Sequence, residues 1–271
     1  MIIDFHTHVF PERIADTTVR ALEQSGNIES YSDGTVAGLV RSLRSAGVGL
    51  GVNLPVLTRP EQYGSVLKFA SMLNSSYGDD QPVISFAGVH PDMEDPEEKI
   101  SEIKRCGFLG IKIHPDYQAT FFDDERYVRI LRAAKREGLI TVTHAGLDAA
   151  YVGQPIKCTP ERVLRLLDRI GGYDRLVLAH YGANTLFDEV YELLAGEDVY
   201  FDTAYILGYI ERSDFLRIIE KHGESKILFA SDSPWQNIGE NVKRLRSFEL
   251  GAEREDKIFY KNAASLLGMD F

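Results

Sequence analysis

Short apolar runs rich in β-branched residues alternate along this chain with longer segments whose apolar positions recur every three or four residues. The runs are residues 2–5, 48–54, 83–89, 108–113, 139–143, 176–179, 199–202 and 227–230. Each is apolar through its length, the pattern of a strand buried on both faces of a parallel sheet. Between them, residues 126–137 (RYVRILRAAKRE) place Val128, Leu131 and Ala134 on one helical face and charges on the other. Residues 159–170 open with Thr159 as an N-cap and Pro160 in the first turn, followed by Val163, Leu166, Leu167 and Ile170 at helical spacing. Residues 213–221 and 239–248 read the same way, and 257–267 read as a closing helix. Gly47 and Gly138 stand where a helix must stop and turn into a strand. Residues 11–46 read as two helices joined by a loop at 26–34.

Eight strands alternating with helices predict an α/β fold, a (β/α)8 TIM barrel formed by residues 1–271 as one domain. An open doubly wound sheet would carry a Gly-rich phosphate loop after its first strand. This chain has His6-Thr7-His8 there instead.

Composition narrows the function. Apolar residues make up 44% and charged residues 26%, which suits a soluble globular protein and excludes disorder as the main state. With 41 acidic and 30 basic residues the formal charge is −11, and no basic run offers a nucleic-acid or anionic-membrane surface. No apolar run approaches the roughly 18 residues that cross a bilayer, and the N-terminus lacks a secretory pattern. Two cysteines, Cys106 and Cys158, offer no disulfide framework. The expectation is a cytoplasmic protein with a small-molecule substrate; composition is silent on oligomeric state.

Of seven histidines, His6, His8, His90, His114, His144 and His180 stand at or just past the end of a predicted strand. In a barrel those ends converge on one face, where active sites are built. In Asp4-Phe5-His6-Thr7-His8, strand alternation puts the acid and both histidines on one side. Joined to His144, His180 and Asp232, the H-x-H pair makes a ligand set suited to zinc and similar divalent ions. A set with an open position is catalytic, because the ion acidifies a water there. Asp232 is then both ligand and proton acceptor. Asp4 is a candidate anchor for a histidine N–H, or else a hydrogen-bonded residue deep in the barrel. In Gly110-Ile111-Lys112-Ile113-His114 the isoleucines face the helices, so Lys112 points inward, where an ammonium must be paired, neutralised or chemically modified.

The ordered set His6-x-His8, Lys112, His144, His180 and Asp232 resembles the amidohydrolase superfamily. The wording DFHTHVFP, GIKIHPDYQ, CTPERV, LAHYG, VYFDT and ILFASDSPW is similar to its amidohydrolase-2 group of metal-dependent hydrolases. The resemblance implies a distorted barrel holding one or two divalent ions, zinc first among the choices. Carried over, His6, His8, His144 and Asp232 bind one ion, with His180 free to polarise substrate or move a proton. In the binuclear version a carboxylated Lys112 bridges two ions, and His144 and His180 bind the second.

Residues following the strand ends are candidate substrate contacts: His114, Tyr117, Arg59, Tyr205 and Trp235, with Asn53 beside them. Tyr and Trp offer flat walls, and Arg59 a bidentate carboxylate clamp. His90 reads as a hydrogen-bonded loop residue, and both cysteines as structural. The expected activity is hydrolysis of an amide, ester or lactone. A non-oxidative decarboxylase of aromatic or conjugated acids, and a barrel that binds metal or ligand without catalysis, are the alternatives.

Overall fold

Among the described residues nine strand segments follow one another in chain order, every pairing parallel: β1 (Ile3–Thr7), β2 (Leu50–Asn53), β3 (Val83–Ser85), β4 (Ala87–Gly88), β5 (Gly110–Ile113), β6 (Ile140–Thr143), β7 (Leu176–Leu178), β8 (Tyr200–Asp202) and β9 (Ile227–Leu228). The computed structural model describes residues 1–269. β1–β2–β3 form one arc and β4 to β9 the other. At one junction the third strand breaks at Phe86, whose N–H donates to Asn53 O at 3.0 Å. At the other, Phe5 N–H donates to Phe229 O at 3.0 Å and Asp232 N–H to His6 O at 2.9 Å. A parallel bridge between Thr7 and Ser233 continues that closure. The result is the eight-stranded barrel read from the sequence, with its third strand in two pieces.

The helices are α1 (Glu12–Gly26), α2 (Val36–Ala46), α3 (Tyr63–Ser75), α4 (Pro96–Arg105), α5 (Glu125–Arg136), α6 (Pro160–Ile170), α7 (Phe187–Glu189), α8 (Arg212–His222), α9 (Ile238–Arg246), α10 (Ala252–Asp256) and α11 (Asn262–Leu267). Thr159 caps α6 through its side chain, Pro160 opens the helix, and Gly171 ends it with a positive φ. The segment read as one helix over 257–267 is instead a wide π turn, Lys257–Lys261, leading into α11. The widening accompanies diversion of the Ile258 carbonyl to Phe229 N–H at 2.9 Å. Among the described residues no helix is long and apolar enough to cross a membrane.

Two apolar layers hold the barrel. Outward-facing Ile111, Ile113, Leu176 and Leu178 pack with helix residues such as Leu131 and Leu166. Phe5, Val52, Phe86, Val142 and Val177 form an inner cluster joined by Leu266 and Leu267 of α11. Arg175, just ahead of β7, donates to Leu266 O at 2.8 Å, which fixes α11 at the N-terminal end of the strands. The opposite end is left open for polar side chains.

Candidate metal centre

His6 and His8 come from the end of β1 and Asp232 from the segment after β9. Their ligand atoms lie within 4.8 Å of one another. His8 Nε2 is 3.1 Å, and His6 Nε2 3.6 Å, from Asp232 Oδ1. The other ring nitrogens are already engaged: His6 Nδ1 donates to Asp202 Oδ2 at 2.9 Å and His8 Nδ1 to Leu54 O at 2.9 Å. These partners fix both tautomers and leave both Nε2 lone pairs facing Asp232. Burial opposes the charge on Asp232, but the His6, His8 and His180 rings around it hold its pKa well below the usual carboxylate range. Acceptors aimed at one point are balanced by a shared proton or a cation, and imidazole with carboxylate suits a divalent ion. The residues therefore fit a metal.

Lys112 is fully enclosed on β5, with Nζ 3.0 Å from His6 Nε2. Burial pulls its pKa down to about 8, with Asp202 and Asp232 opposing the shift. Burial, with Lys112 adding to it, lowers His6 to about 4. Lys112 thus touches the His6–His8–Asp232 group, and its charge also acts on His114 and His144 of a second group of rings.

In that second group His180 Nδ1 faces Ala204 O at 3.0 Å and its Nε2 lies 2.9 Å from His144 Nδ1. His114 stacks on His144, centroids 4.2 Å apart and planes 13° from parallel, and its Nε2 is 3.4 Å from Asp148 Oδ2. Burial pushes both His114 and His144 well below the ordinary histidine pKa, with neighbouring cations adding to it. The ligand atoms of His144, His114 and Asp148 lie within 4.8 Å of one another, a set separate from that of His6, His8 and Asp232 with which the sequence grouped His144. It follows β6, across the barrel from β1 and β9, and its ring is turned toward β5 and β7.

The local backbone is bent to reach this arrangement. His180, Tyr205 and Asp232 have φ of 60°, 67° and 69°, a region non-glycine residues seldom adopt. The register of β1 on β2 also shifts between Asp4 and Thr7. Strict alternation consequently fails: Phe5 packs in the inner cluster while His6 still reaches the centre. Asp4 anchors no histidine ring. Its oxygens accept from Ser231 Oγ at 2.5 Å and Ser231 N–H at 2.9 Å, and burial raises its pKa to about 7. The residue that grips His6 is Asp202 of β8, for which sequence reading assigned no role. Its one sequence signal is its place at a strand end.

Above the rings opens a cavity of ≈ 450 Å³. His114, Tyr117, Tyr205 and Trp235 line it, as does Asn53, whose amide is spent on Val9 N–H and Ser85 Oγ. Arg59 does not; it is exposed ahead of α3, although its neighbours Thr58 and Gln62 do line the cavity. The arginine on the cavity wall is Arg13 of α1. Ile14, Thr18 and Leu22 of α1 face Val66 and Phe69 of α3, so the upper walls are apolar. His90 accepts Asp92 N–H at 3.1 Å, a loop role, and Cys158 is a buried thiol whose pKa burial pushes up.

A family model described as amidohydrolase matches residues 3–269. Among curated proteins no sequence matches the chain. Solved structures share the fold: 5-carboxyvanillate decarboxylase from Sphingomonas paucimobilis is 17% identical, with 99% of each chain covered and a TM-score of 0.71. The 5-carboxyvanillate decarboxylase of Novosphingobium aromaticivorans, complexed with manganese and a nitrobenzoic acid, is 16% identical, with 99% of this chain and 96% of that one covered and a TM-score of 0.74. A Pseudomonas putida protein assigned as a 2-pyrone-4,6-dicarboxylic acid hydrolase is 17% identical, with 100% and 98% covered and a TM-score of 0.67.

Proposed function

The chain belongs to the amidohydrolase family, and on that premise we propose that it is a metal-dependent hydrolase acting on an amide, ester or lactone bond of a small molecule with an apolar body. His6, His8 and Asp232 would hold one divalent ion, and His144 with His180 a second, Lys112 lying between them. Zinc or manganese suits these donors. When bound, such an ion polarises a substrate carbonyl and acidifies water at the site.

The remaining chemistry belongs to side chains. Asp232, held ionised, takes the proton of the attacking water and returns it to the leaving group. Tyr117, Tyr205 and Trp235 flank the reacting bond, while Ile14, Leu22, Val66 and Phe69 take up the apolar body.

The observation that carries this reading is Lys112 at 3.0 Å from His6 Nε2. With a pKa near 8, a share of its amine is neutral at working pH and can take up carbon dioxide as a carbamate, releasing a proton. That converts a cation facing two acceptor groups into an anion able to serve both. A metal-loaded preparation assayed on lactones, esters and amides should show hydrolysis with two ions per chain.

The decarboxylases among the structural neighbours favour a second reading, non-oxidative release of carbon dioxide from an aromatic or conjugated acid. In that reading Asp232 delivers a proton to carbon. One ion per chain, with carbon dioxide release and no hydrolysis, would select it.

A further inference from the structure

We infer that Asp116 is the carboxylate that orients His144 for a cation, a positioning residue in the loop after β5. The inference rests on the reading above, in which His144 and His180 serve as ligands.

His180 Nδ1 donates to Ala204 O at 3.0 Å, so its Nε2 carries a lone pair. That lone pair lies 2.9 Å from His144 Nδ1, which must therefore be the donor. The proton of a neutral imidazole then sits on Nδ1, and His144 Nε2 is left as an acceptor. Opposite it, 3.8 Å away, stands another acceptor, Asp116 Oδ2. Both atoms are buried with no hydrogen-bond partner among the described residues, and their residues are 4% and 2% exposed. Buried polar atoms without partners are costly, and two acceptors facing each other is a mismatch.

One change cures it. If a cation takes the place of the proton between His144 Nδ1 and His180 Nε2, the proton of His144 moves to Nε2. There it points at Asp116 Oδ2, and closing the gap by about 1 Å makes a charge-assisted hydrogen bond. The two orphaned atoms become each other's partners, and the ring is locked with Nδ1 toward the centre. His6 already has this arrangement through Asp202. The competing use of these side chains, a separate ion held by His114, His144 and Asp148, is disfavoured by the stacking. A lone pair lies in its ring plane, and two planes 13° from parallel and 4.2 Å apart do not meet at one ion.

The test is cobalt(II) titration of metal-free protein, followed by its visible absorption, with imidazole nitrogen NMR of the zinc-loaded wild type beside it. Asp116→Asn should bind the ion about 10- to 100-fold more weakly, and Asp116→Glu should recover part of the loss. In the wild type, His144 should carry its proton on Nδ1 without metal and on Nε2 with zinc, a result that needs no variant to fold. An Asp116→Asn titration matching wild type while His144→Ala loses binding overturns the role of Asp116 alone. So does a zinc-loaded His144 without a proton on Nε2. Full binding by His144→Ala removes the ligand reading itself.

Discussion

Asp202 grips two histidines from two other strands: its Oδ2 takes the Nδ1–H of His6 at 2.9 Å and its Oδ1 the backbone N–H of His180 at 3.0 Å. Burial alone would raise its pKa, but His6, His180 and Lys112 hold it below the usual value, so the carboxylate stays charged. Asp202→Asn should therefore loosen His6 and lower divalent-metal affinity by about 10- to 100-fold. Competition against a coloured chelator measures this directly. Unchanged affinity would show that His6 orients itself without help.

Asp232→Asn keeps the shape of the side chain and removes the base. Turnover should fall by about 10²- to 10⁴-fold while circular dichroism stays that of the wild type. An Asn variant with wild-type kcat would end the assignment of Asp232 as proton acceptor.

Metal removal should cost stability as well as activity. An ion present at about 100 times its Kd stabilises the fold by about 2.7 kcal/mol, a Tm difference of roughly 5–10 °C for a chain of this length. Scanning calorimetry with and without a chelator reads it, and superimposable curves would argue against a resident ion.

His222 tests the pH dependence away from the centre. It stacks on Phe201 at 3.9 Å, accepts Gly196 N–H and faces Val199 O, and burial lowers its pKa to about 4. Above the unfolded value near 6.5 both states are neutral and the stability is complete. As pH falls from there toward 4, the unfolded chain takes a proton that the folded chain refuses, and stability is lost. Between pH 7 and pH 5 the loss from this one residue is about 2 kcal/mol. His222→Gln should be less stable at neutral pH yet show a shallower decline, measured by urea denaturation at both values. An identical slope would mean His222 takes its proton in the folded state too.

The apolar walls predict how binding divides between KM and kcat. Ile14→Ala combined with Leu22→Ala should raise KM by about 10-fold for a substrate with an apolar body and leave kcat nearly unchanged. Both side chains line the cavity and come from α1, which supplies none of the proposed ligands. A drop in kcat at constant KM would place the apolar body elsewhere.

The barrel was legible because its strands are buried on both faces, which makes each one a short continuous apolar run. The histidines and Asp232 were legible because they interrupt those runs at the same end. What escaped has a local cause. The shift in β1 breaks the two-residue alternation on which the placing of Asp4 depended. Asp202 looks in sequence like any strand-end acid, and only the closed ring reveals that it meets His6, 196 residues away. Arg59 was misplaced because sequence does not show which side chains of the loop after β2 face inward: Thr58 and Gln62 line the cavity while Arg59 is exposed. The division of His144 from His6, His8 and Asp232 depends on ring orientations that no spacing encodes.

The closure of β1 against the segment after β9 has a consequence for how the protein matures. His8 and Asp232 are 224 residues apart and become neighbours only when the first and last strands meet. A nascent chain lacking its final strand has not yet brought His8 and Asp232 together, so an ion held by both would be taken up only on completion of the ring. Such an ion would span that junction and act as a clasp on the circle, slowing its reopening.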